Sequence, residues 1–210
     1  MREAFIAAIK KHQSAFHFDL PDETIARLTD YYELVLEHNP ILHLVGPCTP
    51  EEFATRHILE SMTMLKFLPR GARFADVGTG AGLPAIPCLI VRNDLFGLLI
   101  ESKEKKTKFL ETAVAALRLV RRAKVSNRQF DEVDPSNVSH VCCRALDRFE
   151  QNLPRLLKWA GEKPLLLFAG KNLRAVMEKQ HLAVTAKLMP LSEQRYLFVV
   201  RGKRPARKSR

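Results

Sequence analysis

The run Asp76-Val77-Gly78-Thr79-Gly80-Ala81-Gly82 directly follows the apolar pair Phe74-Ala75 and precedes a helical stretch, and no other segment restricts the fold so tightly. Three glycines at alternate positions remove Cβ atoms where a strand bends into a helix. A ligand can then lie against the backbone, and the helix N-terminus offers it unpaired N–H groups. A chain with such a turn is built from strands that feed helices. From about residue 69 onward the sequence keeps that alternation, with strands expected at 73–77, 96–101, 123–127, 138–143, 164–169, 183–189 and 195–201. Helices are expected near 83–92, 103–119, 147–160 and 172–180; Pro84 and Pro87 fall within the first positions of theirs, where N–H groups lack intrahelical partners. Only residues 190–194 separate the last two strands, which predicts an antiparallel hairpin on an otherwise parallel sheet. The fold class is α/β, doubly wound, with a mostly parallel seven-stranded sheet.

Ahead of this lie two amphipathic helices, over 1–16 and about 21–38, the second presenting Ile25, Leu28, Tyr32 and Leu36 on one stripe. Thr49-Pro50-Glu51-Glu52 then reads as an N-cap, a proline at the first helical position and a capping box, opening a third helix to about Phe67. The expected organisation is a helical cap (1–68), a main domain (69–202) and a basic tail (203–210). With 210 residues of which 46% are apolar, one sizeable core can be buried. Cys48, Cys88, Cys142 and Cys143 have no C-x-x-C spacing and read as reduced structural thiols, with no metal site. No apolar run reaches 18 residues and the N-terminus has no apolar h-region, so a soluble cytoplasmic protein without membrane contact is expected.

Dinucleotide sites favour G-x-G-x-x-G, whereas here the glycines alternate and an acid stands two residues before the first. The pattern resembles the first motif of S-adenosylmethionine-dependent methyltransferases, in which the glycine loop skirts the methionine part of the cofactor and an acid at the end of the next strand holds the ribose. Glu101 ends the run Phe96 to Ile100 at about the twenty-residue interval such folds use, and a carboxylate can accept from both ribose hydroxyls.

With these residues in view, the sequence resembles the glucose-inhibited division protein B (RsmG) family, which methylates a guanine at N7 in small-subunit ribosomal RNA. The likeness is carried by residues 76–87, by Arg56-His57-Ile58-Leu59-Glu60-Ser61 and by Cys143-Arg144-Ala145; fainter matches are Glu101-Ser102, Ala169-Gly170-Lys171 and Arg195. It implies a class I methyltransferase-like fold and a pocket for S-adenosyl-L-methionine lined by Gly78, Gly80, Gly82, Leu83, Gln129, Phe130 and Arg144, with Glu101 on the ribose. Where the family usually has an acid beside the adenine, this chain has Phe130, with Asp131 one residue later, which implies contact through backbone and ring packing. The family's Asn-Leu-Thr near the cap reads His43-Leu44-Val45 here. The implied partner is small-subunit ribosomal RNA, free or in the ribosomal particle, and the implied enzyme is a monomer. A guanine N7 already presents a lone pair, so no catalytic base is expected; positioning alone can supply roughly 7–11 kcal/mol.

The formal net charge of +11 makes polyanions plausible partners. Arg56, His57, Lys105, Lys106, Lys171 and Arg195 are candidate RNA contacts. Lys103, Lys105, Lys106 and Lys108 open a helix, where cations oppose the dipole, so they either meet phosphates or form a solvated face with Glu104 and Glu111 as partners. His57 stands four residues after Phe53 and reads as packed or functional; the tail cations Arg201 to Arg210 either bind RNA or are solvated. Arg144 cannot act as a base and is expected either to clamp an oxygen in the site or to close an ion pair at a strand end. A methyltransferase of another acceptor class, and an RNA-binding module without catalysis, are the competing readings.

Overall fold

A computed structural model describes residues 1–144, 149–179 and 182–201. The tail 203–210 and Ala145 lie outside the described residues. Seven strands, β1 (Arg73–Val77), β2 (Phe96–Ile100), β3 (Ala123–Ser126), β4 (His140–Arg144), β5 (Leu165–Gly170), β6 (Val184–Leu188) and β7 (Arg195–Val200), form one sheet in the order β3-β2-β1-β4-β5-β7-β6. The first five run parallel, and β7 enters antiparallel between β5 and β6, as the short connection from β6 predicts.

Strand alternation divides the core into two layers. Phe74, Leu99, Ala123, Cys142 and Leu166 face one side and pack against the N-terminal helices α1 (Arg2–His12) and α2 (Asp22–Leu42), together with α5 (Ala85–Val91) and α6 (Glu104–Ala116). Ala75, Val77, Cys143, Leu165 and Leu167 face the other and meet α7 (Phe149–Ala160) and α8 (Asn172–Lys179). The N-terminal helices therefore share one core with the sheet. All four cysteines are free, three of them buried. Among the described residues no helix is long and apolar enough to cross a membrane.

Several boundaries differ from expectation for local reasons. The first helix gives way to a 3-10 turn over Gln13–Phe16. The second continues past 38 to Leu42 with Pro40 inside its last turn, because His43 adopts a left-handed conformation and donates its N–H to the Asn39 carbonyl at 3.0 Å, closing the end there. Its buried face uses Tyr31 and Val35 beside Ile25, Leu28 and Tyr32, while Leu36 is only half-buried. Helix α5 starts at Ala85, so Pro84 is its N-cap rather than a helical residue. Residues 138 and 139, expected in β4, belong to the loop before it.

The third helix opens as the sequence predicts: Thr49 Oγ1 accepts from Glu52 N–H at 3.1 Å and Glu52 Oε2 accepts from Thr49 N–H at 2.9 Å. It is not uniform, however. After α3 (Pro50–Glu52) it widens into a π-helical turn over Phe53–Leu59, recovers as α4 (Glu60–Met62) and tightens to a 3-10 turn over Thr63–Phe67. Such widened turns occur mostly as short insertions, often at functional sites.

Candidate functional site

The glycine turn has the geometry its spacing requires. Gly78, Gly80 and Gly82 have φ of +67°, +56° and +92°, values that side chains with a Cβ rarely adopt. Gly78 and Thr79 donate their N–H groups to the Ile100 carbonyl at 2.9 and 3.2 Å, which ties the turn to the end of β2. Gly82 is glycine for a second reason: a Cβ there would lie 2.3 Å from Ile86 Cδ1, so its place is set by the packing of α5. Beneath the turn Asp76 is fully buried; its Oδ2 accepts from Thr79 Oγ1 at 2.6 Å and from Ala85 N–H at 3.1 Å. Oδ1 has no conventional hydrogen bond, the carboxyl meeting besides only the weakly donating Cys142 thiol. Burial pushes this carboxyl up to about 7, against the opposing hydrogen bonds from Thr79 and Ala85. The cap reaches the same turn, where Tyr31 Oη donates to the Ala81 carbonyl at 2.9 Å.

Glu101, one residue past β2 and 7% exposed, faces this turn. Its Oε2 accepts from Gly80 N–H at 3.0 Å and its Oε1 from Lys103 N–H at 2.9 Å. Each oxygen keeps lone-pair capacity for a further donor. Asn127 fixes the backbone behind it, giving its Nδ2 to the Glu101 and Ser102 carbonyls, both at 3.1 Å, and to Thr107 Oγ1 at 3.0 Å. These groups border a cleft of about 360 Å³ lined by Gly78, Gly80, Glu101, Gln129, Phe130 and Lys106, with Lys103, Arg128 and Arg155 also at its edge. Phe130 is buried, edge-on to Trp159 with ring centroids 5.7 Å apart, and the Arg155 guanidinium lies over its ring at 5.6 Å. Asp131 is held in an ion pair with Arg155, so the acid that follows Phe130 is already engaged on the protein's own arginine.

Of the residues expected around the cofactor, five are thus gathered at one cleft, and Gly82, Leu83 and Arg144 are not on its lining. Leu83 is buried in the core. Arg144, at the end of β4, instead clamps the widened helical turn: it donates to the Arg56 carbonyl at 2.7 Å and to Ser61 Oγ at 3.2 Å, and stands 3.5 Å from His57 Nδ1. It also lies 3.9 Å from Glu60 Oε2, while Arg195 donates Nε–H to Glu60 Oε1 at 2.7 Å. One carboxylate, 2% exposed, therefore serves two arginines from β4 and β7. Burial raises the Glu60 carboxyl and the arginines counter it. His57 packs on Phe53 with centroids 5.1 Å apart; burial and then the Arg144 charge lower its imidazole to about 3, so it is neutral at physiological pH. It cannot work as a general acid there.

Arg56, Lys171 and Arg195 line a separate opening of about 850 Å³ with Asn172, so three of the expected RNA contacts share one rim. Arg56 also pairs with Glu52 at 3.3 Å. Lys105 is exposed at the start of α6; Lys106 reaches the His43 carbonyl at 3.3 Å, and Lys108 pairs with Glu104 at 2.8 Å. Glu60, Asn127 and Tyr31 were not singled out from the sequence. Each acts through a partner far along the chain, and only Glu60 lies in a segment that the family likeness had marked.

A family model described as rRNA small subunit methyltransferase G matches residues 24–209. The ribosomal RNA small subunit methyltransferase G of Azoarcus sp. (strain BH72) is 39% identical over 106 residues, which is 50% of each chain. That of Sorangium cellulosum (strain So ce56) is 32% identical over 193 residues, 89% of this chain and 78% of its own. The chain spans about half the length of the first of these relatives. Among solved structures, an RNA methyltransferase from Salinibacter ruber in complex with S-adenosyl-L-homocysteine superimposes with a TM-score of 0.55 at 14% identity, covering 78% of this chain and 98% of its own. The pyocyanin biosynthetic protein PhzM does so at 0.59 and 16% identity, over 73% and 57% of the two chains. At these identities the likeness is one of fold.

Proposed function

From the membership of this chain in the rRNA small subunit methyltransferase G family, we propose that it is an S-adenosylmethionine-dependent methyltransferase acting on guanine N7 of small-subunit ribosomal RNA. The observation that carries the cofactor half is the Glu101 carboxylate, buried, drawn against Gly80 N–H and bordering an open cleft. A ribose diol needs two acceptors at fixed spacing, and this carboxylate is immobilised through two backbone donors with lone pairs to spare. The residues fit the donor: Gly78 and Gly80 leave backbone exposed where its methionine part would lie, and Phe130 offers a packed wall for its adenine. Gly82, Leu83 and Arg144 act from behind, by packing and by fixing the turn over 53–59.

When bound, S-adenosylmethionine supplies an electrophilic methyl group on a sulfonium. The chain's part is to position. Guanine N7 carries its lone pair in the plane of the base and needs no proton removed, which agrees with a rim where His57 is neutral and Arg144 and Arg195 are committed to Glu60. Residues 1–68 form a cap over the glycine turn through Tyr31, and Arg56 and Lys171 face the RNA beside Arg195, which Glu60 holds in place. The enzyme is a cytoplasmic monomer, and the tail 203–210 adds positive charge for RNA.

Incubation with methyl-labelled donor and small-subunit ribosomal RNA, free and assembled, tests this directly. Label on one guanine of that RNA is expected. Label on protein or small metabolites, or none at all despite donor binding, contradicts the acceptor assignment.

A further inference from the structure

Among the described residues a second opening, wider than the donor cleft, lies against the sheet. Helices cover both faces of the sheet at β4 and β5, but the connection from β3 to β4 over residues 127–139 holds only one 3-10 turn, Phe130–Glu132, where a helix would cover β2 and β3; β1 is closed, with Ala75 and Val77 buried. Trp159 pins that connection down over α7, giving its Nε1–H to the Val133 carbonyl at 2.7 Å. The result is an opening of about 880 Å³ whose floor is the second face of β2 and β3, with Arg73 at the start of β1 on its border.

Its charge is lopsided. Arg73, Arg121, Arg122, Lys124 and Arg128 border it, against Glu132 and Asp134. Arg122 is spent on structure, donating to the carbonyls of Arg92 at 3.1 Å and Leu95 at 3.4 Å, and Arg73 lies over the Phe96 ring at 4.8 Å. Arg121, Lys124 and Arg128 are exposed, and among the described residues none of the three is in an ion pair. An acid directly across would pair with a lysine on a sheet face, but Lys124 stands opposite Leu98. Arg128 borders both this opening and the donor cleft, so the cationic track runs without a break from the β3 edge to Lys103 and Lys106 at the start of α6.

We infer that this uncovered face is a second contact surface for RNA, taking backbone phosphates that flank the base presented at the donor cleft. The inference rests on the RNA reading above and adds to it the surface and the chemistry. Unpaired cations on an open, partly apolar floor match a polyanion, and continuity with the donor cleft places that polyanion beside the reacting base.

The full-length protein carrying Arg121→Glu and Lys124→Glu tests it, with binding to small-subunit ribosomal RNA measured from low to moderate salt and S-adenosylmethionine binding measured alongside. Donor affinity should stay unchanged. RNA binding should weaken at least about tenfold at low salt, and the slope of log K against log salt should flatten by roughly 1.4 to 1.8, or about 0.7 to 0.9 per contact. Lys124→Gln alone should flatten it by about half as much. Arg2→Glu with Lys10→Glu, on α1 across the sheet, should leave the slope alone. An unchanged slope in the β3 variants, or an equal loss in the α1 control, overturns the inference while RNA methylation by the wild type stands. Wild-type protein that neither binds nor methylates the RNA overturns the functional reading itself.

Discussion

At the ends of β1 and β2 the site is made of backbone, with three left-handed glycines, N–H groups turned toward Glu101 and a carboxylate held by two amides. Beyond β4 and β7 it is made of buried charge, with one glutamate between two arginines and a neutral histidine against a widened helical turn. The first region is pre-shaped for a small ligand because its geometry costs no side-chain entropy when the ligand arrives. The second spends its charges on itself. It is a strut that holds the edge on which a larger partner would rest, and its arginines are not free to recognise that partner.

Breaking the strut should have the largest effect. Glu60→Ala leaves the Arg144 and Arg195 guanidinium groups without their carboxylate, and the loss of one partner from a buried charge cluster typically costs about 3–5 kcal/mol. Urea unfolding reads this; a cost below about 1 kcal/mol would mean that Glu60 is a bystander.

The hidden charge on the donor side is exposed by pH. Asp76 titrates near 7 in the folded protein and near 3.8 ordinarily, so the folded state holds an extra proton between those values. Stability contributed by that proton is complete below about pH 4 and is lost as pH rises through 7. Asp76→Asn removes the dependence, so its stability relative to wild type should climb by up to about 1.4 kcal/mol per pH unit across the window and level off above it. Denaturant curves for both proteins between pH 4.5 and 8 give the difference, and parallel curves would show that Asp76 is not proton-coupled. A smaller effect sharpens the comparison from outside both regions. Thr49→Ala should cost about 1 kcal/mol in a thermal melt by uncapping α3, with donor binding unmoved.

The same contrast decides what the sequence could reveal. The glycine turn, Glu101 and the Thr49 capping box are local: each declares itself by spacing over a few residues or one strand and its neighbour. The strut is not, since Arg195 meets Glu60 across 135 positions and Arg144 meets Ser61 across 83. No periodicity joins them. Likewise the π-helical turn leaves no mark in a stripe of apolar residues, and the chain's extension through Pro40 depended on a left-handed His43 that composition does not announce. Leu83, expected against the cofactor, is buried in the core because a loop residue's neighbours depend on which way the turn winds after Gly82, and Arg144, at the end of β4, is drawn instead to the Arg56 carbonyl and Ser61, partners far along the chain. The mostly parallel seven-stranded sheet and its antiparallel last hairpin, by contrast, were legible through strand alternation and one short connection.

Calorimetric titration of S-adenosylmethionine into wild-type protein and into Glu101→Gln weighs the central claim most directly. Hydrogen bonds to a charged group are worth about 1.5–3 kcal/mol, so the variant should bind roughly 10- to 150-fold more weakly while its unliganded fold persists. Equal affinity in the two proteins, or no binding by the wild type, would contradict the assignment of this cleft to the methyl donor.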